Sequence, residues 1–277
     1  MSNPDLLELK VAAVYNQLQA SSRLLVAFSG GVDSSVLLKL AADCPRIESL
    51  LAVTFHSEVS TAEDLASARA VAARCGADHL IVDWSELSSP EFTANSPRRC
   101  YHCKRRRFVH LQTLARQYGL AVVVEGSNLS DLGDYRPGLE ALRELGVSSP
   151  LLAAGLSKPE IRCLAARLGL PNWNQPAQAC LASRVPFGIP ITAAVLQQIA
   201  AAEEALRARG FQGSRVRHHG ELARIEVAAG ELPQLLTEDN RQAIISACRN
   251  LGYRYITVDL EGFRSGSLNP LSSQVQS

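Results

Sequence analysis

Leu24-Leu25-Val26-Ala27-Phe28-Ser29-Gly30-Gly31-Val32-Asp33-Ser34-Ser35 is the stretch on which the fold turns. Its five apolar residues read as a buried strand, and the polar segment after them reads as a turn into a helix that reaches about Ala42. Gly30 and Gly31 let the backbone fold back and present its N–H groups. A helix starting there adds the positive end of its dipole and a set of open donors, so the junction suits phosphate. Ser29, Ser34 and Ser35 add hydroxyl groups. The loop follows neither the G-x-x-x-x-G-K-[ST] nor the G-x-G-x-x-G pattern.

Outward from this junction the same alternation repeats. Leu6, Leu9, Ala13 and Leu18 give a loose helical period ahead of it. After it come a strand at Leu50–Thr54, a helix opened by a Ser60/Glu63 capping box and ending near Gly76, and a strand at His79–Asp83. A helix over Lys104–Tyr118, a strand at Ala121–Glu125 and a short fifth strand at Pro150–Leu152 follow. Ser157 and Glu160 form another capping box, with Gly169 and Pro171 as the stop. Apolar strands alternating with helices imply an α/β fold, a parallel sheet with helices on both faces. After Pro186 the pattern becomes α+β: a helix over Thr192–Arg209, strands at Ser214–His219 and Leu222–Val227, a helix near Asn240–Leu251 and a strand at Tyr253–Val258. The expected organisation is a nucleotide-binding domain with a cysteine site over 1–186, a smaller α+β domain for substrate or oligomerisation over 187–268, and a disordered Ser/Gln/Asn/Pro-rich tail over 269–277.

The 277 residues are 47% hydrophobic and 20% charged, enough apolar material for a sizeable core. With 28 basic and 27 acidic residues the formal charge is +1, so bulk charge argues for neither a nucleic acid nor a membrane partner. Seven cysteines are too few for a disulfide scaffold, and the first twenty residues lack a basic, apolar leader, so a reducing, cytoplasmic setting is expected.

Cys100-Tyr101-His102-Cys103 is a C-x-x-C, which alone fits half a zinc site, a redox pair or two iron–sulfur ligands. Cys180 follows 77 residues later in a polar loop that can reach the carboxyl edge of the sheet, where ligands bind in this architecture. Three thiolates in one cleft would suit a cube-type cluster with one iron open. Cys44, Cys75, Cys163 and Cys248 fall in or beside helical segments and read as packing residues. Arg98, Arg99, Lys104, Arg105, Arg106 and Arg107 crowd six cations around the C-x-x-C. Arg215 and Arg217, two apart on a strand, share a face and suit a phosphate or carboxylate.

S-G-G-x-D-S resembles the pyrophosphate loop of the N-type ATP pyrophosphatase (PP-loop) family, in which ATP reacts at its α-phosphate. The resemblance implies that Ser29, Gly30, Gly31, Asp33, Ser34 and Ser35 hold ATP phosphates, that adenine lies near Thr54, and that Lys158 of Lys158-Pro159-Glu160-Ile161 contacts phosphate. A longer series of segments is similar to the LarE family across about residues 20–268. These are Arg99–Lys104, Glu125-Gly126-Ser127-Asn128, Asp131–Gly138, Gly169–Trp173, the Cys180 loop, Arg215–Gly220 and Gly262–Gly266. That family's members are ATP-dependent sulfur transferases in assembly of the nickel-pincer nucleotide of lactate racemase.

The likeness implies adenylylation of pyridinium-3,5-dicarboxylic acid mononucleotide, with Mg²⁺, and displacement of AMP by sulfur to leave thiocarboxylates. It implies Gly126 beside ATP, Glu125 on Mg²⁺ or substrate, and Arg215, Arg217, Arg264, Asp134 and Arg136 on substrate. One branch of the family uses a single cysteine, here Cys180, as a sacrificial sulfur donor. The other holds a [4Fe-4S] cluster on three cysteines, and the presence of Cys100, Cys103 and Cys180 favours it. ATP, the nucleotide substrate, a source of sulfide and a homo-oligomer (trimer or hexamer) are the expected partners. The rivals are a tRNA-thiolating PP-loop enzyme, which the basic run favours, and a non-enzymatic ATP-sensing module.

Overall fold

A computed structural model describes residues 4–133, 135–175, 179–264 and 266–268. Contacts divide the chain into two compact units, one of residues 1–85 and 98–178, the other of 86–97 and 179–277. The sequence placed the boundary after residue 186; here it falls after 178, and the segment 86–97 goes with the second unit.

The first unit begins with α1 (Pro4–Leu18), β1 (Arg23–Ala27), α2 (Val32–Ala42), β2 (Ser49–His56), α3 (Ala62–Cys75) and β3 (Asp78–Asp83). The single-turn α4 (Pro90–Thr93) belongs to the second unit. The chain then returns with α5 (Arg99–Gln117), β4 (Val122–Val124), α6 (Gly138–Glu144), α7 (Pro150–Ala153) and α8 (Lys158–Arg167). The strands form one sheet in the order β3-β2-β1-β4, and every pair is parallel. Alternation along β1 sends its residues to two cores. Leu24 and Val26 pack with α1, α2, α3 and α8, whereas Leu25 joins Phe108, Leu111 and Ala115 of α5 and Leu142 of α6. The sheet is thus covered on both faces, as its continuous apolar strands require.

Three expectations are corrected. Pro150–Leu152 is not a fifth strand but the start of α7, with Pro150 in its first turn. A proline cannot donate to a ladder, and a Leu-Leu-Ala run after it favours a helix. The sheet gains only an isolated bridge from Val124 to Ser148. The capping box of α3 uses Thr61 and Asp64, one residue later than read: Asp64 N–H donates to Thr61 Oγ1 at 3.2 Å and Thr61 N–H to Asp64 Oδ2 at 2.9 Å. Finally, α5 starts at Arg99 and not Lys104, so the C-x-x-C lies in the first turn of a helix and not in a loop.

The second unit contains α9 (Ala193–Ala208), β5 (Arg215–His219), β6 (Leu222–Glu226), α10 (Leu232–Leu235), α11 (Glu238–Asn250) and β7 (Tyr255–Val258). Its sheet runs β5-β6-β7, antiparallel then parallel. Val216, Ala223 and Ile225 face a core with Leu206, Phe211, Ile244 and Tyr253. The opposite face carries Arg215, Arg217, Arg224 and Glu226. No helix among the described residues is long and apolar enough to cross a membrane.

Candidate functional site

The loop after β1 is shaped by its own side chains. Gly30 has φ +77°, the left-handed region that glycine enters without strain. It also needs the missing Cβ, which would lie 2.9 Å from Ala68 N and 3.0 Å from Ala68 Cα. Gly31 is the N-cap of α2 and no side chain caps it. The first turn of α2 therefore opens toward the loop, the arrangement that binds anions. Ser34 Oγ and Ser35 Oγ both donate to Gly31 O, at 3.0 and 2.9 Å, and Gly31 N–H donates to Ser29 Oγ at 3.3 Å. Asn172 locks the loop from outside: its Nδ2 donates to Gly30 O and to Ser35 Oγ, each at 2.8 Å.

Gly126 and Lys158 both come against this loop. A Cβ on Gly126 would lie 2.9 Å from Ser34 N, so the chain leaving β4 presses on the first turn of α2. Lys158 Nζ donates to Asp33 Oδ2 at 2.5 Å, while Asn128 Nδ2 donates to Asp33 Oδ1 at 3.2 Å. Asp33 thus ties α2 to two later segments. Thr54 is buried, and its Oγ1 donates to Phe28 O at 2.7 Å and lies 2.8 Å from His79 Nε2. Its hydroxyl is engaged in joining β1 to β2. Burial and the nearby Arg69 charge push the His79 imidazole below its usual value, which favours the neutral ring.

Glu125 is buried at the end of β4 and well bonded. Oε1 accepts from Ser127 N–H at 3.0 Å and Ser149 Oγ at 2.5 Å; Oε2 accepts from Ser127 Oγ at 2.8 Å and Lys104 Nζ at 3.4 Å. Lys104 directly follows Cys103, so this carboxylate links the cysteine turn to the sheet edge. Arg136 pairs with Asp131 at 3.0 Å, and Asn128 N–H donates to Asp131 Oδ2 at 3.0 Å. Asp134 and the tail over 269–277 lie outside the described residues.

Cys100 and Cys103 stand three apart at the start of α5, on one helical face. Cys100 is exposed and Cys103 partly so. Cys180 is exposed at the head of the 3-10 turn Leu181–Arg184 in the second unit. A resident cluster needs three thiols together. Among the described residues no group of three or more His, Cys, Asp or Glu side chains forms a metal-holding set. The turn of the first unit offers two ligands, and Cys180 lies in the second unit. Of the other cysteines, Cys44 and Cys248 are buried and Cys75 partly buried, but Cys163 is exposed and is not a packing residue.

The basic run around the C-x-x-C disperses into separate contacts. Arg98 pairs with Glu140 at 3.1 Å and covers the Tyr101 ring. Arg106 lies over Trp84 and Arg107 over Phe55, with Arg107 Nη2 donating to Ser57 Oγ at 3.2 Å. Arg99 is buried.

In the second unit Arg215 and Arg217 do share a face, but it is a buried one, at 8% and 5% exposure. Arg217 Nη2 donates to Glu226 Oε2 at 2.6 Å and Nη1 to Ser183 O at 3.2 Å. Arg224 Nη2 donates to the other Glu226 oxygen at 3.1 Å. Arg215 donates to Ser214 O at 2.8 Å and stacks on Phe263. Arg217 Nε, Arg224 Nε and His219 Nε2 are buried without a hydrogen-bond partner among the described residues. Burial and the Arg224 and Arg217 charges push the His219 imidazole below its usual value. Arg264 is exposed and pairs with Glu261. In the sequence Asn128 and Asn172 stood out only as parts of longer segments, and nothing there gave a role to them, to Glu226 or to the buried Arg184–Glu203 pair. A polar residue two or three places past a helix stop, like Asn172, was the available hint.

A parallel sheet whose first strand runs through a glycine loop into an uncapped helix, with a lysine brought to the loop from a later helix, defines the PP-loop ATP pyrophosphatase class. Comparison with known proteins agrees. The asparagine synthase family model matches residues 5–113. The chain is 37% identical to pyridinium-3,5-bisthiocarboxylic acid mononucleotide synthase of Lactiplantibacillus plantarum, over 96% of this chain and 96% of that protein. It is 41% identical to an uncharacterized protein of Synechocystis over 89% of this chain and 92% of the other. The tRNA-specific 2-thiouridylase MnmA of Azorhizobium caulinodans is 30% identical over only 57% of this chain and 50% of its own length. The chain belongs to the LarE family.

Proposed function

We propose that this chain is an ATP-dependent sulfur transferase acting on pyridinium-3,5-dicarboxylic acid mononucleotide. A carboxylate is a poor electrophile; attack of its oxygen on the ATP α-phosphorus releases pyrophosphate and gives an acyl-adenylate, from which sulfur displaces AMP. Two rounds leave the bis-thiocarboxylate. The observation that carries this reading is the end-to-end match to the bisthiocarboxylic acid synthase, which spans both units. The open N-terminus of α2 and Lys158 would take the departing pyrophosphate, with Mg²⁺ neutralising its charge. Ser29, Gly30, Gly31, Asp33, Ser34, Ser35 and Gly126 would form its walls, and the backbone near Thr54 would meet adenine. Arg215, Arg217, Arg264, Arg136 and Asp134 would serve the nucleotide substrate. Glu125 would hold Lys104 in place beside the cysteine turn.

For the sulfur, Cys100, Cys103 and Cys180 would hold a [4Fe-4S] cluster, which would supply the transferred sulfide. Two thiols one helical turn apart support it. The exposure of Cys180 favours the second reading, in which Cys180 surrenders its own sulfur. Anaerobic purification with iron and sulfide analysis, followed by mass spectrometry of the 180 peptide after turnover with ATP and substrate, separates the two. About four irons with Cys180 intact supports the cluster; dehydroalanine at 180 in iron-free protein establishes the sacrificial donor. Failure of ATP and substrate to yield thiocarboxylate in either form refutes both.

A further inference from the structure

Glu160 sits in the first turn of α8 and closes its capping box, accepting from Ser157 N–H at 2.8 Å and Ser157 Oγ at 2.7 Å. Both of its oxygens also accept from Lys10 Nζ, at 2.7 and 2.9 Å. Lys10 lies on α1, 150 positions earlier in the chain. Glu160 is 8% exposed, so its charge depends on this partner more than on water. The residue two places before it is Lys158, whose N–H donates to Ser130 Oγ at 3.0 Å and whose Nζ reaches Asp33 in the ATP loop. Pro159 between them fixes the backbone of the turn. An unbroken series of contacts therefore runs from α1 through Glu160 and the head of α8 to the first turn of α2.

We propose that Lys10 is a positioning residue for ATP: through Glu160 it fixes the first turn of α8 and so aims the Lys158 ammonium at the phosphates. The inference rests on the ATP-binding part of the functional reading. Removing the Lys10 ammonium leaves a buried carboxylate without its counter-charge. Glu160 then turns toward water or takes a proton, its bonds to Ser157 weaken, and the turn that carries Lys158 loosens. The rest of α8 stays in place, because Ile161, Leu164 and Ala165 are in the main core of the first unit.

The test is MgATP affinity by isothermal titration calorimetry on the full chain, arranged as a double-mutant cycle. Lys10→Met is expected to weaken MgATP binding about five- to tenfold in the native background and less than about twofold in a Lys158→Met background. Lys10→Arg, which keeps the charge, is expected to restore binding to within about twofold of native. Glu160→Gln covers the case in which Lys10→Met does not fold: it keeps acceptors for Ser157 and should show the same dependence on Lys158. Equal losses with and without Lys158, or native affinity in folded Lys10→Met, overturns the proposal. The readout needs no sulfur transfer, so a wrong assignment of the second substrate leaves it intact, and its own failure leaves that assignment untouched.

Discussion

Alanine at three glycines separates the two reasons a glycine is required, and only one of those reasons touches ATP. Gly76, at the end of α3, has φ +65° with nothing within 4 Å of an added Cβ. Its alanine variant suffers the left-handed conformation alone, about 1–2 kcal/mol, offset by about 0.4–1 kcal/mol from a stiffer unfolded chain. Gly126 has an ordinary φ, but its Cβ would meet Ser34 N at 2.9 Å, Ser34 Cα at 3.0 Å and Asp33 C at 3.1 Å. All three are backbone atoms of the ATP loop's helix and cannot swing aside. The overlap is relieved by driving the first turn of α2 away from β4, which costs about 1–3 kcal/mol by analogy with overpacked cores. Gly30 combines both, with φ +77° and a contact of 2.9 Å to Ala68 N, so its variant loses about 2–5 kcal/mol before the same unfolded-chain offset. Urea unfolding measures stability, and calorimetry with MgATP measures the site. Gly76→Ala should bind MgATP like the native chain; Gly126→Ala and Gly30→Ala should bind about tenfold more weakly or worse, a loss of at least about 1.4 kcal/mol. Native MgATP affinity in Gly126→Ala would refute the reasoning, because it would mean the contact with α2 does not shape the anion site.

Three further outcomes follow from buried charge. Burial alone would raise the Glu160 carboxyl, but hydrogen bonds from Lys10 and Ser157 outweigh it and hold the group at about 2 against 4.5 when free. Because the folded value is the lower, this stability is present above about pH 5 and is lost as pH falls toward 2, about 3 kcal/mol in all. Urea midpoints from pH 7 to pH 3 should fall less steeply in Glu160→Gln. Arg184 and Glu203 are each 4% exposed and form a two-bond pair at 2.8 and 3.0 Å. Arg184→Met should destabilise the second unit by about 3–5 kcal/mol and the double variant Arg184→Met/Glu203→Leu by less, as read by urea unfolding. Burial pushes the Cys248 thiol up to about 11, so peptide mapping after brief alkylation at pH 8 should find Cys163 and Cys180 labelled well before it.

What was legible in the sequence was local. The four parallel strands, the helix after the glycine loop and the Ser157/Glu160 cap are each written within about ten residues, as apolar runs, glycines and capping spacings. Pro150–Leu152 was misread because three apolar residues fit either period, and only the preceding proline and the core around Leu151 select the helix. The start of α5 was misread because Arg98 supplies no side-chain cap, so no Ser, Thr, Asp or Asn marked it. The contacts that build the site are of another kind. Asp33 with Lys158 spans 125 positions and Asn172 with Gly30 spans 142, and no local pattern encodes which side chains meet across such distances.

Charge shows the same division and bears on function. As a string, six cations around the C-x-x-C look like a stripe for a polynucleotide. In the fold Arg98 turns to Glu140, Lys104 to Glu125, and Arg106 and Arg107 lie on aromatic rings, so these side chains are engaged in separate local contacts, two of them with carboxylates. What weighs against a tRNA substrate is the extent of the matches, 96% of this chain with the bisthiocarboxylic acid synthase and 57% with the thiouridylase. The arginine pair of the second unit behaves oppositely. Arg215 and Arg217, which read as a modest strand face, are buried, and Arg217 shares Glu226 with Arg224, which also faces Asp259. Arg217 and Arg224 thus face two carboxylates, with Arg224 Nε 3.6 Å from Asp259 Oδ2 and a buried Arg217 Nε that meets no hydrogen-bond acceptor among the described residues. Buried donors without acceptors are expensive to keep, and a phosphate monoester, with several oxygens and negative charge, is the kind of ligand that would satisfy them.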